Sequence, residues 1–403
     1  MTEASTKTFK AADWAPPAVD LVRVGRRALG VGVVFAAISA AGLFVAPAQF
    51  FRSYLVAFCL VLGVTLGSFA ISMLHHMSRG AWGLVIRRIL EASSRTLPFV
   101  ALLAVPLLFG LRHIYPWADP ARVATDEILR HRAAYMNPTF VVARLAVCLA
   151  VWTAFGFALS RLSKKQDEAP SAGLERRMQI VAAPGLVLYC LLVTVVAIDL
   201  LMSTDAHWYS AIYGMYVVGG QAIAGMAFTI LAALTLAKRE PFRSAVQDRH
   251  VHDWGKLLLT FTMLWAYFAV SQLIIIWSGD LPEEISFYKA RVTGGWMFVS
   301  LALALFQFAV PFVFLLSANL KRNLGKLSLV ALLVLVMRWV DLTWLVAPAF
   351  HPEGLSLHWL DLTLPVALFG LWLAAFARQV GARPLLPVND SNLSAALEVH
   401  AHG

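Results

Sequence analysis

The chain has 403 residues, 60% of them hydrophobic and only 14% charged, whereas soluble domains carry about 25% charged residues, so a soluble globular protein is excluded. The formal net charge of +10 could suit nucleic acid, but it is concentrated in alternate connections between apolar runs, which makes it a topology signal. Cys59, Cys148 and Cys190 lie far apart inside apolar runs; they match no redox, haem-attachment or iron–sulfur spacing and read as small core residues.

A bilayer interior admits helices or closed barrels, and a spanning helix needs about 20 apolar residues. Runs of that length without strict alternation exclude a barrel. Residues 1–27 are polar and contain proline, and read as a cytoplasmic tail rather than a signal peptide. Ten runs follow, at 28–46, 54–74, 97–112, 138–159, 180–201, 210–237, 255–278, 292–317, 324–347 and 358–378. The expected fold is therefore an all-α polytopic membrane protein of ten transmembrane helices spanning 28–378, with 379–403 as a cytoplasmic C-terminal tail.

The second run carries Gly63 and Gly67 at GxxxG spacing, which serves helix packing, and His75 and His76 close it as interfacial polar groups. The third is the shortest and contains Pro98 and Pro106. Arg144 stands in the fourth and Asp199 within a turn of the end of the fifth. In the short link to the sixth run, Ser203, Thr204 and Asp205 offer helix N-caps. Trp208, Tyr209 and Tyr213 there read as an interfacial aromatic belt. Asp205 and His207, beside Asp199, read as the outer end of a proton exit.

Gln221, Gln272 and Gln307 lie in the sixth, seventh and eighth runs. Between the last two stand Asp280, Glu283 and Glu284. Asp280-x-x-Glu283 reads as a capping box, with Pro282 in the first turn and Glu284 favourable to the helix dipole. The three acids also read as a docking surface for a partner or a proton outlet. The ninth run holds Arg338 and Asp341, spaced to pair on one helix face. Pro365 marks a kink in the tenth.

Alternate connections, counted from the N-terminus, carry 21 Lys and Arg against 6 in the others. The positive-inside rule then puts both termini in the cytoplasm and residues 279–291 outside, on the periplasmic face of a bacterial inner membrane. Charges inside a membrane are costly and mark function by default. Arg144, Asp199, Arg338, Asp341, Gln221 and Gln272 all fall in the outer half. They read as a polar cavity for a quinone headgroup or protons, or as ion pairs that hold the bundle. The histidines sit at helix ends or in loops, so no haem site is expected within the helices. Walker, GxGxxG and GxSxG contexts are absent from the sequence. This chain alone is expected to bind no metal or other redox centre, so any redox centre must come from a partner subunit.

Two stretches, AIDLLMSTDAHWYSAIYG at 197–214 and WAYFAVSQLIIIWSGDLPEEISFY at 265–288, resemble the NrfD-like membrane subunits of alternative complex III. The likeness is greatest to the smaller, ActF-type subunit of quinol:cytochrome c oxidoreductase. The segment SMLHHMSRGAWGLVIRRILEASSRTLPF at 72–99 and YPWA at 115–118 fit the same pattern. This chain has Asp280 where that pattern has Asn, and Ala206 where it has Pro.

The resemblance implies two four-helix bundles plus two peripheral helices. It implies a periplasmic face that docks iron–sulfur and c-type cytochrome subunits, and a sister NrfD-like subunit as a further partner. It also implies oxidation of a quinol such as menaquinol, with haem and iron–sulfur clusters on the partners and proton conduction by the smaller subunit. Two other readings share parts of these features: the membrane anchor of a polysulfide- or nitrite-reductase-type molybdoenzyme, and a secondary transporter, which favours broken helices in paired halves.

Overall fold

A computed structural model describes residues 11–16 and 18–397, and every regular element among them is helical. The long helices are α1 (Ala18–Ala40), α2 (Pro47–Ser78), α3 (Ala81–Ser94), α4 (Leu97–Ile114), α5 (Pro138–Glu168), α6 (Ala172–Leu200), α7 (Tyr213–Leu236) and α8 (Asp248–Gly279). They continue as α9 (Pro282–Arg291), α10 (Trp296–Leu316), α11 (Leu324–Val346) and α12 (Trp359–Gly381), with a short α13 (Leu393–Leu397). Ten helical segments are long and apolar enough to cross a membrane, so the protein is an all-α, multi-pass membrane protein.

Helices α2, α4, α5 and α6 pack as one four-helix bundle, and α7, α8, α10 and α11 as a second. The remaining pair, α1 and α12, lies against α2 at the side. The bundles meet along α2 and α7, the two helices most enclosed by protein. Both are apolar all round, the pattern of a helix buried on every side. Their crossing depends on small residues: a Cβ on Gly67 would stand 1.8 Å from the Gln221 carbonyl oxygen, and one on Gly225 2.4 Å from the Gly67 carbonyl carbon. Backbone cannot yield as a side-chain tip can. Gly67→Ala is therefore expected to cost about 1–3 kcal/mol, whereas Gly30→Ala, with nothing within 4 Å, should leave thermal unfolding in detergent unchanged. Equal melting curves would remove this crossing from the account.

Two expectations are corrected, on the C-terminal segment and on the N-terminal tail. The segment between the second and third runs is more than a connection. It forms α3, which lies across one end of both bundles and touches α2, α5, α7, α8 and α12. Its Arg87, Arg88 and Glu91 are buried, because partners elsewhere in the chain neutralise them. The C-terminal segment is not a loose tail. Leu385, Leu386 and Leu393 are buried, and α13 packs on α3. The Leu385 N–H donates to the Trp14 carbonyl at 2.9 Å, so both chain ends lie at the same end of the molecule. The N-terminal tail is also shorter than expected, because α1 already begins at Ala18. Expectations for residues 1–10, 17 and 398–403 fall outside the described residues.

Candidate functional site

The two charged pairs lie in different bundles. In the second, Arg338 donates to Asp341 one helical turn on. Asp341 also accepts from the Tyr216 hydroxyl of α7 and, at 3.2 Å, from the Trp265 indole of α8. A carboxylate with 0% exposure needs such donors to stay in the interior. Gly220 makes room for them: a Cβ there would lie 2.3 Å from the Arg338 guanidinium carbon. Gln221 accepts from the Tyr189 hydroxyl at 2.9 Å. Arg338 and Gln221 share a cavity of about 20 Å³ between the bundles, with Cys59 on its wall, room for about one water.

In the first bundle Arg144 makes a two-pronged bond to Asp199, at 2.8 and 3.0 Å, the geometry that suits guanidinium and carboxylate. Its guanidinium lies 3.8 Å above the Tyr135 ring. Asp199 is buried, whereas the Arg144 side chain is 22% exposed, so solvent relieves this pair in a way it cannot relieve the other.

At the end away from the termini, a cavity of about 300 Å³ opens between α8 and α10. Tyr216 and Trp265, which donate to Asp341 alongside Arg338, are part of its wall. Gln272 is there too: its carbonyl accepts from Ser210 at 3.2 Å and its amide faces the Tyr288 hydroxyl at 3.5 Å. The α10 wall, Leu303 to Phe308, is a π-helical turn, a distortion that recurs at functional sites. Gln307 of that turn is fully buried, with neither amide atom hydrogen-bonded among the described residues.

A second cavity of about 370 Å³ lies at the same end, and Asp126, Asp205, His207 and Arg291 are among its lining residues. His207 does not join Asp199. Its Nε2 stands 2.7 Å from Asp126 and its backbone N–H donates to Asp205 at 3.2 Å. The Leu129 backbone N–H, and after it His207, hold the Asp126 carboxyl below its ordinary range against the opposing effect of desolvation.

The local motifs in these loops also resolve differently from expectation. Ser203 and Thr204 do not cap the helix after them; their hydroxyls donate back to the carbonyls of Asp199 and Leu201. The seventh helix starts after Ile212 without a side-chain cap. Trp208 and Tyr213 are core residues rather than an interfacial belt. Trp208 stacks on Phe287 at 4.1 Å and donates to the Glu284 carbonyl at 3.0 Å, which ties this loop to α9. Asp280 is no N-cap. It ends α8 in a left-handed conformation, φ 46°, while Leu281 is the N-cap of α9. Glu283 and Glu284 do stand in the first turn of α9.

A further set of charges lies at the termini end. Glu91 accepts from Arg87 at 2.9 Å, Arg88 at 2.7 Å and the Ser163 hydroxyl at 2.7 Å. Arg87 reaches Asp390 at 2.7 Å, Arg88 reaches Asp167, and Arg79 reaches Glu175. Beneath them His75 and His76 are buried rather than interfacial, with His75 Nδ1 and His76 Nε2 unbonded among the described residues. The available signal was local: Arg-Arg-x-x-Glu puts both cations within a turn of the acid. The partners at 163, 167 and 390 have no local signature. Buried polar groups therefore occupy both ends of the molecule, not one depth zone.

Among the described residues no cluster of three or more His, Cys, Asp or Glu side chains is arranged to hold a metal ion. No family model matches the chain, and no curated protein matches it.

Proposed function

We propose that this chain is an integral subunit of a quinol:cytochrome c oxidoreductase of the alternative complex III type. In this reading it lies in a bacterial inner membrane with both termini cytoplasmic, as the Lys and Arg asymmetry favours. It supports quinol oxidation and the outward release of protons, while iron–sulfur and c-type cytochrome partners carry the electrons.

The observation that carries this reading is the double role of Tyr216 and Trp265, which line the 300 Å³ cavity and also donate to Asp341. A headgroup seated against Tyr216 passes its proton to the hydroxyl oxygen as the hydroxyl passes its own proton to the Asp341 carboxylate. Arg338 donates to that same carboxylate, and positioned groups of this kind contribute about 10²–10⁴-fold in rate. The 370 Å³ cavity with Asp126, Asp205 and His207 supplies an exit at the same end.

Purified from its native membrane with its neighbours, the chain should carry haem and iron–sulfur signals and oxidise quinol. Tyr216→Phe should lower turnover about a hundredfold while the complex still assembles. Unchanged turnover in that variant, or a chain that purifies alone and moves a solute, would sink the reading.

A further inference from the structure

Most buried cations described above face an acid: Arg338 has Asp341, Arg144 has Asp199, and Arg87 and Arg88 have Glu91. Arg291, at 3% exposure, is held differently. Its Nε donates to the Trp344 carbonyl at 3.0 Å, Nη1 to Phe287 at 2.8 Å and Nη2 to Leu345 at 2.7 Å. The guanidinium lies 3.4 Å above the Phe287 ring and 5.0 Å from that of Trp344. These contacts fix the group in place without cancelling its charge. The carbonyls at the end of α11 offset about half a unit of it. Three of the five guanidinium N–H donors are used, so two remain.

Arg291 lies on the wall of both cavities at this end. In the 370 Å³ cavity Asp205 shares the wall; the residues of the 300 Å³ cavity include no carboxylate. Burial pulls the guanidinium down to about 10, which leaves it charged at neutral pH. An apolar chamber between α8 and α10 is thus flanked by a fixed cation whose nearest described acid, Asp205, lies on the wall of the other cavity. Trp265, Trp344, Tyr216, Tyr288 and Phe308 give it aromatic walls, which suit a flat ring better than a branched headgroup.

We propose that this cavity preferentially binds the deprotonated form of a hydroxyaromatic headgroup on an apolar tail, with Arg291 supplying the charge that favours the anion. The proposal rests on the quinol reading above and deepens it, since it specifies the ionisation state in which the ring is held.

The test uses the full-length protein with its copurifying subunits and two probes, a 2-alkyl-4-hydroxyquinoline N-oxide and its O-methyl ether. An opposite charge within about 4–6 Å lowers an acid's pKa by one unit or more. The bound hydroxy probe should therefore show its anion absorbance at least one pH unit below the free probe. It should also bind about tenfold more tightly than the ether. Arg291→Gln should abolish both effects and Arg291→Lys should retain them.

Ionisation of the bound probe at the same pH as the free one overturns the proposal on the wild-type protein alone, whether or not the variants assemble. The quinol reading then still stands on the Tyr216→Phe result. Displacement of the probe by laurate at equal affinity assigns the cavity to fatty acids and overturns the headgroup class. If neither probe binds, the proposal and the quinol cavity fall together.

Discussion

Glu91→Ala is expected to lower unfolding stability by about 3–5 kcal/mol, the cost of breaking a buried charge pair from one side. Glu91 is the hub of the α3 network: it accepts from Arg87, Arg88 and Ser163, and Arg383 lies 3.7 Å away. Removing it leaves two nearly fully buried guanidinium groups with one acid each, Asp390 and Asp167. Those remaining acids place the loss toward the lower end of the range. Lys164→Ala is the contrasting variant, because the Lys164–Glu168 pair is exposed on both sides and such pairs contribute about 0–1 kcal/mol. Chemical unfolding in detergent micelles measures both. Equal small losses would mean that water reaches α3 and that the network is a solvated one.

The same network shows where reading the sequence stops. The ten spans were legible because each is a long apolar run, and burial in lipid leaves that mark whatever the tertiary structure does. The burial of α3 was not, since nothing local to two arginines and a glutamate in one turn says what neutralises them. Only Asp390, 303 positions away, and Asp167 make it an interior helix. The Asp280 motif failed for a local reason. A residue before proline is pushed toward extended backbone, so Pro282 makes Leu281 the N-cap and leaves Asp280 to end the previous helix. Asn or Gly suits that left-handed position best. Trp208 and Tyr213 failed for a non-local one: aromatic residues near a membrane boundary look alike whether they face lipid headgroups or a second loop.

Asp341→Asn is expected to lower quinol oxidation by about a hundredfold, and the design of the experiment must separate chemistry from folding. Asn keeps the size of the side chain but leaves Arg338, at 2% exposure, as a buried cation without an acid. That change alone costs about 3–5 kcal/mol, enough to deplete the assembled complex. The second variant therefore removes both charges. With Arg338→Met added, the interior is again neutral, and replacing a buried ion pair by apolar groups is often neutral or stabilising. Assembly should return while turnover stays low, because Tyr216 still lines the cavity but no longer donates to a carboxylate. Recovery of both would make the pair a structural brace and leave Tyr216 without a role in proton release. Asp199→Asn sets the scale: Arg144 reaches solvent, so its loss of partner should cost less in assembly. A proton-to-electron ratio that falls with Asp341→Asn and not with Asp199→Asn would locate proton release in the second bundle, beside the 300 Å³ cavity.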